Sequence, residues 1–380
     1  MKIKKILKAL NIDSEVKDHI VTGIYNNSKE CTKNSIFIAI GGEDFNGNKY
    51  IEEAIRFGAK TIFSSEKVNC SVNVVIVDNI RKTQAEIANI FYKNTFKKIK
   101  FIGVTGTNGK TSATTLLHNF LKKQGSLLIG TNGAFLNDEH YSLNNTTPSI
   151  LTTAKLVAKA VLRNYEFVVM EVSSIGISEY RVYGIDFEYV VMMNISHDHL
   201  DYHENFDDYK NTKRKLIFQT KRHNLINKDD EILYNFKDNK TIYFSLDELD
   251  IQSTNPIIFD YLGVRYYSRL TGLINAYNIL VSLKLVVLLG YDVDRFRSYL
   301  KKFKQIDGRM NILEAKGKKI LIDYAHTPDA VRNVLNTLKG CVVIGCGGDR
   351  DKLKRKLIAD ICVKNASFSV FTSDNPRTED

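Results

Sequence analysis

Between Gly106 and Thr111 the chain reads Gly-Thr-Asn-Gly-Lys-Thr, and these residue types in this order suit the grip of a polyphosphate. Backbone N–H groups of a glycine-rich turn and the positive end of a following helix face an anion. Lys110 adds a cation, and the Thr111 hydroxyl can sit on Mg2+. An apolar run, Phe101 to Val104, precedes the turn, and Ser112 to Phe120 reads as a helix, so the arrangement is strand, loop, helix. The general pattern places a glycine six residues before the lysine, and Val104 stands there instead. Gly106, Thr107, Asn108, Gly109, Lys110, Thr111 and Ser112 are read as a nucleoside triphosphate site.

Further polar clusters follow. Glu171 ends the apolar run Phe167 to Val172 and, beside the phosphate loop, is placed to hold Mg2+ against the β- and γ-phosphates. Ser196 to His203 reads SHDHLDYH, with three His and two Asp in eight residues. Zinc is disfavoured there: the helical pair of His four residues apart is missing, and no Cys supports it. A second divalent ion bridging a nucleotide and an acidic substrate, with His199 as a ligand, is the preferred reading. Asp323, in Asp323 to Pro328, can accept from ribose hydroxyls. Gly345 to Arg350 mimics a dinucleotide fingerprint, but Arg350 occupies the third glycine position, which argues against NAD. Asp374-Asn375-Pro376-Arg377 ends with an arginine suited to bidentate recognition of a carboxylate.

These residues need elements to position them. Up to about residue 95, short strands and helices alternate: strand-like Ser35 to Ile40, Thr61 to Phe63 and Val72 to Val77, helical Tyr50 to Phe57 and Thr83 to Phe91. The polar stretch Tyr92 to Lys100 reads as a linker. Phe167 to Val172 and Phe187 to Ile195 are continuous apolar runs of the kind that form buried parallel strands. Leu273 to Leu289 is helical, and a second boundary falls near Ile306 to Asn311. Beyond it, strand Lys319 to Asp323, helix Pro328 to Leu338, strand Cys341 to Gly345, helix Lys352 to Val363 and strand Phe368 to Thr372 read as a βαβαβ half-sheet. Thr327 is a natural N-cap with Pro328 at the first helical position. The expectation is an α/β chain of three domains: 1–95, a central ATPase-like domain 96–310, and 311–380. In open α/β sheets ligands sit off the carboxyl ends of the strands, where the motifs above fall.

Composition narrows the class. At 380 residues, 43% hydrophobic and 26% charged, the chain is globular and long enough for two or three cores. No apolar run could span a membrane, and the basic start, MKIKKILKAL, lacks the features of a signal peptide. Five cysteines without a CxxC pair fit a reduced cytoplasm rather than a disulfide framework. The net charge of +11 comes from scattered lysines with no aromatic-interleaved basic stripe, so no nucleic acid and no membrane partner is expected.

With the motifs in order, the chain resembles the Mur ligases from about Ile20 to its last residue. GTNGKTS alone is shared with folylpolyglutamate and cyanophycin synthetases. More specific are NNTTP (Asn144 to Pro148), MEVSS (Met170 to Ser174), DHLDYH (Asp198 to His203), GLINAYN (Gly272 to Asn278), DGRM, DYAHTPDA, GCGGDRDK and DNPR. The resemblance implies ATP-driven amide formation through an acyl phosphate in peptidoglycan synthesis, by a cytoplasmic monomer using ATP and Mg2+. It assigns Lys110 and Thr111 to the γ-phosphate and metal, and Glu171 and His199 to metal. Asn275, Arg309, Asp323 and His326 hold the nucleotide. Lys213 matches a family lysine that is carbamylated into a metal ligand; Lys210 and Lys215 stand near it. For UDP-N-acetylmuramoyl-L-alanyl-D-glutamate the matching positions are Asn26, Ser28, Glu43, Asp44, Phe45, Asn145, Thr146, Thr147, Ser173, Glu179 and Arg181. Arg350, Asp374, Asn375, Pro376 and Arg377 match the amino-acid pocket, and an arginine at the end of DNPR is what members that add meso-diaminopimelate show. Lanthionine, a related diacid, would satisfy the same arginine.

Two positions depart from the family pattern: Ile175 stands where many members have His, and Glu179 where Gln often contacts the UDP moiety. The family's last domain continues for several strands beyond a DNPR motif. The third domain is therefore expected to be incomplete and the chain a fragment or truncated frame that binds its ligands but ligates poorly. The competing readings are a non-catalytic nucleotide-sugar binding protein and a folylpolyglutamate-synthase-like ligase.

Overall fold

The computed structural model describes residues 1–42 and 45–379. Glu43 and Asp44, read above as substrate contacts, lie outside the described residues. Two compact units emerge. The first comprises residues 1–100, 147–168 and 175–186, and the second residues 101–146, 169–174 and 187–380.

In the first unit a parallel sheet runs Ile24–Tyr25, Ser35–Ile38, Ala59–Ser64, Asn73–Ile76. The run Ser35–Ile38 is buried at every residue, as a central parallel strand must be. Phe37 and Ile62 pack with Ile51 and Ala54 of the helix Ile51–Arg56. The helix Ile80–Phe91 starts where Asn79 accepts from the Lys82 N–H, and it buries Ile80, Ala85, Ile87 and Ala88. The supposed linker that follows is more ordered than its polarity indicates. Thr95–Lys98 forms a 3-10 turn whose Phe96 is buried, because one aromatic outweighs the flanking lysines.

The second unit is built on an eight-stranded sheet. In spatial order its strands are Glu139–Tyr141, Gly133–Leu136, Ser126–Gly130, Phe167–Glu171, Lys100–Thr105, Phe187–Met192, Thr220–Asn227 and Thr241–Phe244. Phe187–Met192 pairs in parallel with Lys100–Thr105 on one side and Thr220–Asn227 on the other. Glycine at 103 makes room for a neighbour, since a Cβ there would come within 2.7 Å of the Phe187 ring. The helices Lys110–Leu121 and Leu273–Leu288 pack on this sheet with almost wholly buried apolar sides. A three-stranded antiparallel sheet, Asp250–Thr254, Ile257–Tyr261 and Val264–Ser268, completes this part.

The region after residue 306 departs from the expected βαβαβ half-sheet. Lys318–Ile322 pairs antiparallel with Asn311–Ala315, and among the described residues of this region only Cys341–Gly347 and Phe368–Asp374 pair in parallel. The cause is local: Lys316 and Gly317 both take positive φ (51° and 71°), closing a tight hairpin that the K-G dipeptide permits. The helices Pro328–Thr337 and Leu353–Asn365 pack together through Val331, Leu335, Ile358 and Ile361. Thr327 caps the first of them, its hydroxyl accepting from the Ala330 N–H at 3.3 Å with Pro328 next in the chain.

Candidate active site

The phosphate loop sits at the carboxyl end of Lys100–Thr105, and residues just past the end of the neighbouring strand Phe187–Met192 hold its shape. Gly106 (φ 151°) and Gly109 (φ 87°) take conformations that side chains resist; a Cβ on Gly106 would also meet Met193 Cβ at 2.9 Å. Asn194 closes the loop. Its side chain accepts from the Asn108 N–H (2.8 Å) and donates to the Asn108 carbonyl (3.1 Å), and its own carbonyl accepts from the Thr107 N–H (2.9 Å). The Thr107 hydroxyl accepts from the Ser196 N–H (2.9 Å) and lies 2.9 Å from the buried Tyr209 hydroxyl. Asn108 also reaches Thr327 (3.3 Å), the cap of the helix Pro328–Thr337.

Two cations face this loop. Lys110 Nζ donates to the carbonyls of Gly106 (2.7 Å) and Thr107 (3.0 Å). Loss of water lowers its pKa, opposed by Glu171 and Asp198. Lys213 is buried, donates to Gly106 O (3.2 Å) and Thr105 Oγ1 (3.4 Å), and lies over the Tyr209 ring. Burial first, and Lys110 second, hold Lys213 well below the usual ammonium range. Of Lys210, Lys213 and Lys215, only Lys213 is buried. Among the described residues, neither Lys110 nor Lys213 has a carboxylate within ion-pair distance.

Glu171 is buried one strand away. Its carboxylate accepts from the Thr111 hydroxyl (3.1 Å) and from the N–H (2.9 Å) and hydroxyl (3.1 Å) of Thr131. Arg309 Nη2 donates to Thr111 (3.1 Å) and its guanidinium lies over Tyr324. Asn275 donates to Thr271 O (2.8 Å) and accepts from Asn278 (3.0 Å). Among the described residues Asn278 Oδ1 finds no partner, although it is buried beside Gly109. A hydroxyl and a carboxylate side by side next to an anion loop are hard oxygen donors, and they fit Mg2+, which takes few protein ligands and keeps its waters. Among the described residues no three His, Cys, Asp or Glu side chains gather into a metal cage.

Around the His-rich segment the structure builds a charged cluster. His199 takes a positive φ (54°), and burial pushes its imidazole down to about 4, so the ring is neutral near pH 7. Buried Asp198 lies 3.5 Å from His199, 3.8 Å from His326 and 3.4 Å from Lys354 Nζ. His197 pairs with Asp351 (2.6 Å) and Arg350 with Asp201 (2.8 Å). Asp323 accepts from the Met310 N–H (2.7 Å), and burial raises its pKa.

The two C-terminal motifs come together. Gly348 donates to Asn375 O (3.1 Å), and a Cβ on Gly348 would overlap Pro376 O, so glycine is required where the loops cross. Asp349 accepts from the Thr378 N–H and hydroxyl. Asp374, Asn375, Pro376 and Arg377 are all exposed.

The residues matched to the UDP-substrate divide between the units. Asn26, Ser28, Thr147, Glu179 and Arg181 belong to the first, and Asn145, Thr146 and Ser173 to the second. Phe45 lies in the short strand Phe45–Asn46. In the first unit Ser28 donates to Glu53, and Arg181 donates to Thr147 O (2.8 Å) and to Glu179 (2.7 Å from Nε). Arg81 stands 3.6 Å from Glu179, so the acid at this position is matched by two arginines. Sequence reasoning does not single out Thr131, Asn194, Tyr209, Asp198 and Lys354 as site residues. The signal for Thr131 is the apolar run Leu127 to Ile129 ending in Gly130, and for Asn194 its place just past an apolar strand.

A strand–loop–helix phosphate site flanked by a buried acid, on a mostly parallel sheet, defines a nucleotide-dependent α/β enzyme. Family models sharpen this: one described as "Mur ligase family, catalytic domain" matches residues 20–95, "Mur ligase middle domain" matches 104–286, and "Mur ligase, glutamate ligase domain" matches 308–380. The UDP-N-acetylmuramoyl-L-alanyl-D-glutamate–2,6-diaminopimelate ligase of Bacillus velezensis is 33% identical over 414 aligned positions, covering 100% of this chain and 84% of that protein. The enzyme of the same name from Oceanobacillus iheyensis is 34% identical over 418, with the same coverage. A solved structure of a ligase of that name superposes with a TM-score of 0.75 at 26% identity, covering 99% of this chain and 83% of the other. The chain belongs to the Mur ligase family, whose members are ATP-dependent ligases.

Proposed function

We propose that this chain joins meso-diaminopimelate to UDP-N-acetylmuramoyl-L-alanyl-D-glutamate in peptidoglycan synthesis, at the expense of ATP. A free carboxylate cannot acylate an amine, because oxide is a very poor leaving group. A carboxylate oxygen attacks the γ-phosphorus, ADP leaves, and the acyl phosphate so formed is attacked by the amine, which expels phosphate and loses a proton. Catalysis is then positioning and charge neutralisation.

The observation that carries this reading is the phosphate loop with Lys110 on it, donating to the Gly106 and Thr107 carbonyls, and, among the described residues, no carboxylate pairing that lysine. The loop N–H groups and Lys110 receive the phosphates. Thr111 and Glu171 are the pair that would hold Mg2+, which when bound draws charge off the phosphoryl oxygens. His199, neutral at working pH, would serve a second ion. Burial holds Lys213 below the usual ammonium range, which favours its reaction as the neutral amine with CO2; the carbamate so formed, with its proton released to solvent, would be an anionic ligand. Asn275, Arg309, Asp323 and His326 would hold adenosine and its phosphates, and Arg350 with Asp374 to Arg377 the distal end of the diamino diacid. Asn26, Ser28, Glu43, Asp44, Phe45, Asn145, Thr146, Thr147, Ser173, Glu179 and Arg181 are proposed for the UDP-substrate. The working domains are 1–95, 96–310 and 311–380.

The enzyme is proposed to act as a monomer in the cytoplasm, with neither nucleic acid nor membrane as partner. No helix among the described residues is long and apolar enough to cross a membrane. The test is incubation with ATP, Mg2+, UDP-muramoyl-dipeptide and, separately, meso-diaminopimelate, lanthionine and lysine, with the product weighed by mass spectrometry. The reading expects a tripeptide product with meso-diaminopimelate. ATP turnover that needs folate, or none that needs an amine, would contradict it.

A further inference from the structure

The strand Ser126–Gly130 ends against Glu171. Gly130 lies so close to that carboxylate that a Cβ there would come within 2.2 Å of Glu171 Oε1. Glycine at this position lets a side-chain carboxylate rest on the main chain. Thr131 then takes hold of both oxygens. Its N–H donates to Oε1 at 2.9 Å, and its hydroxyl donates to Oε2 at 3.1 Å.

Proton counting orders the rest. A threonine hydroxyl has one proton to give, and that of Thr131 goes to Glu171. The Thr146 hydroxyl, 3.0 Å away, must therefore donate to Thr131. From the other side Thr111 gives its proton to Glu171 Oε2 (3.1 Å) and accepts from Arg309 (3.1 Å). An unbroken line of hydrogen bonds results: Arg309 to Thr111 to Glu171 on one side, Thr146 to Thr131 to Glu171 on the other. One end lies in the nucleotide site, the other in the NNTTP loop.

Resting on the ligase reading, we infer that Thr131 is a positioning residue: it clamps the Glu171 carboxylate for the metal–nucleotide and joins it to Thr146 of the substrate loop. Its clamp fixes the plane of the carboxylate before any ion arrives. Partners of this kind that orient a metal ligand are commonly worth about 10- to 100-fold in metal affinity or activity. The substrate loop, through Thr146, then acts on the same carboxylate that receives the ion.

The test measures Mn2+·ADP affinity of the full chain by electron paramagnetic resonance, Mn2+ standing in for Mg2+. Thr131→Val, which keeps the N–H and loses the hydroxyl, is expected to bind about tenfold more weakly, and Thr131→Ser to recover most of that. In a Glu171→Gln background Thr131→Val should cost nothing further, because the residue acts through Glu171. Thr146→Val, which breaks only the outer link, should lose about threefold, and it keeps the question open to test should Thr131→Val not fold. Wild-type affinity in Thr131→Val, or an undiminished loss when Glu171→Gln is already present, overturns the inference. A wild-type chain that takes up no Mn2+·ADP overturns the ligase reading as well, so the two failures are told apart.

Discussion

Two glycine-rich loops leave parallel strands in the second unit and open helices, and they treat charge in opposite ways. In the loop at 106–111, neutral hydrogen bonds from Asn194, Ser196 and Tyr209 set the shape, and the cations Lys110 and Lys213 are left with carbonyl oxygens and a hydroxyl as partners. In the loop at 347–352, Arg350 is matched by Asp201, and Lys354 just beyond by Asp198. The first loop is short of negative charge, which suits the polyphosphate proposed for it. The second is already neutralised, so a ligand carboxylate there must exchange with an internal acid or engage the exposed Arg377. Glycine-rich sequence is common to both loops; the surrounding acids decide which one is an anion site.

The comparison breaks most sharply at Lys110. Lys110→Ala should lower ATP turnover by about 1000-fold or more, since it removes the cation aimed at the transferred group. Steady-state phosphate release measures it, and turnover within tenfold of the wild type would mean that the loop's charge is not used. Lys213→Met should lower turnover by about 100-fold while raising thermal stability by about 1–2 kcal/mol, because it exchanges a buried amine without an acid partner for a methionine. A variant that is both inactive and less stable would place Lys213 among structural residues. At the second loop, Arg377→Ala should raise the KM for meso-diaminopimelate about 10- to 100-fold and leave that for ATP within about twofold. Asp201→Asn, which releases Arg350, should lower the same KM a few-fold, as binding no longer displaces an internal acid. Equal effects on both substrates would erase the distinction between the loops.

The smallest expected effect lies on the helix that the first loop opens. His118 is buried with its Nε2–H aimed at Asn137 O (3.3 Å) and its Nδ1 accepting from Ser126 (2.9 Å), and burial pushes its pKa down to about 4 from 6.5. Below pH 6.5 the unfolded chain takes up a proton that the folded chain refuses. Stability is therefore lost as pH falls from 6.5 towards 4, by at most on the order of 3 kcal/mol, and nothing changes above. His118→Gln should flatten the fall of Tm with pH in that window. An unchanged slope would assign the acid lability to other groups.

What can be read from residues alone follows the same division. The phosphate loop is legible because glycine, lysine and threonine act through neighbours in the chain, and Glu171 because strand ends collect ligands. The capping of the helix Pro328–Thr337 is legible from Thr327 and Pro328 for the same local reason. The hairpin Asn311–Ala315 with Lys318–Ile322 is hidden because Lys316 takes a positive φ that its residue type does not advertise. Asn194, Thr131 and the pairing of Arg350 with Asp201 join positions 86, 40 and 149 residues apart, and only the folded sheet brings them together. Lys110, after burial the second cause of the low pKa of Lys213, is equally remote in sequence.

The central claim is that the loop at 106–111 hands a phosphoryl group to a carboxylate and not to water. It is tested most directly with UDP-muramoyl-dipeptide carrying 18O in its free carboxylates, incubated with ATP, Mg2+ and meso-diaminopimelate in unlabelled water. The account predicts that each phosphate released carries one 18O, because the oxygen that attacked phosphorus leaves with it when the amine closes the amide. Phosphate released without label would contradict it.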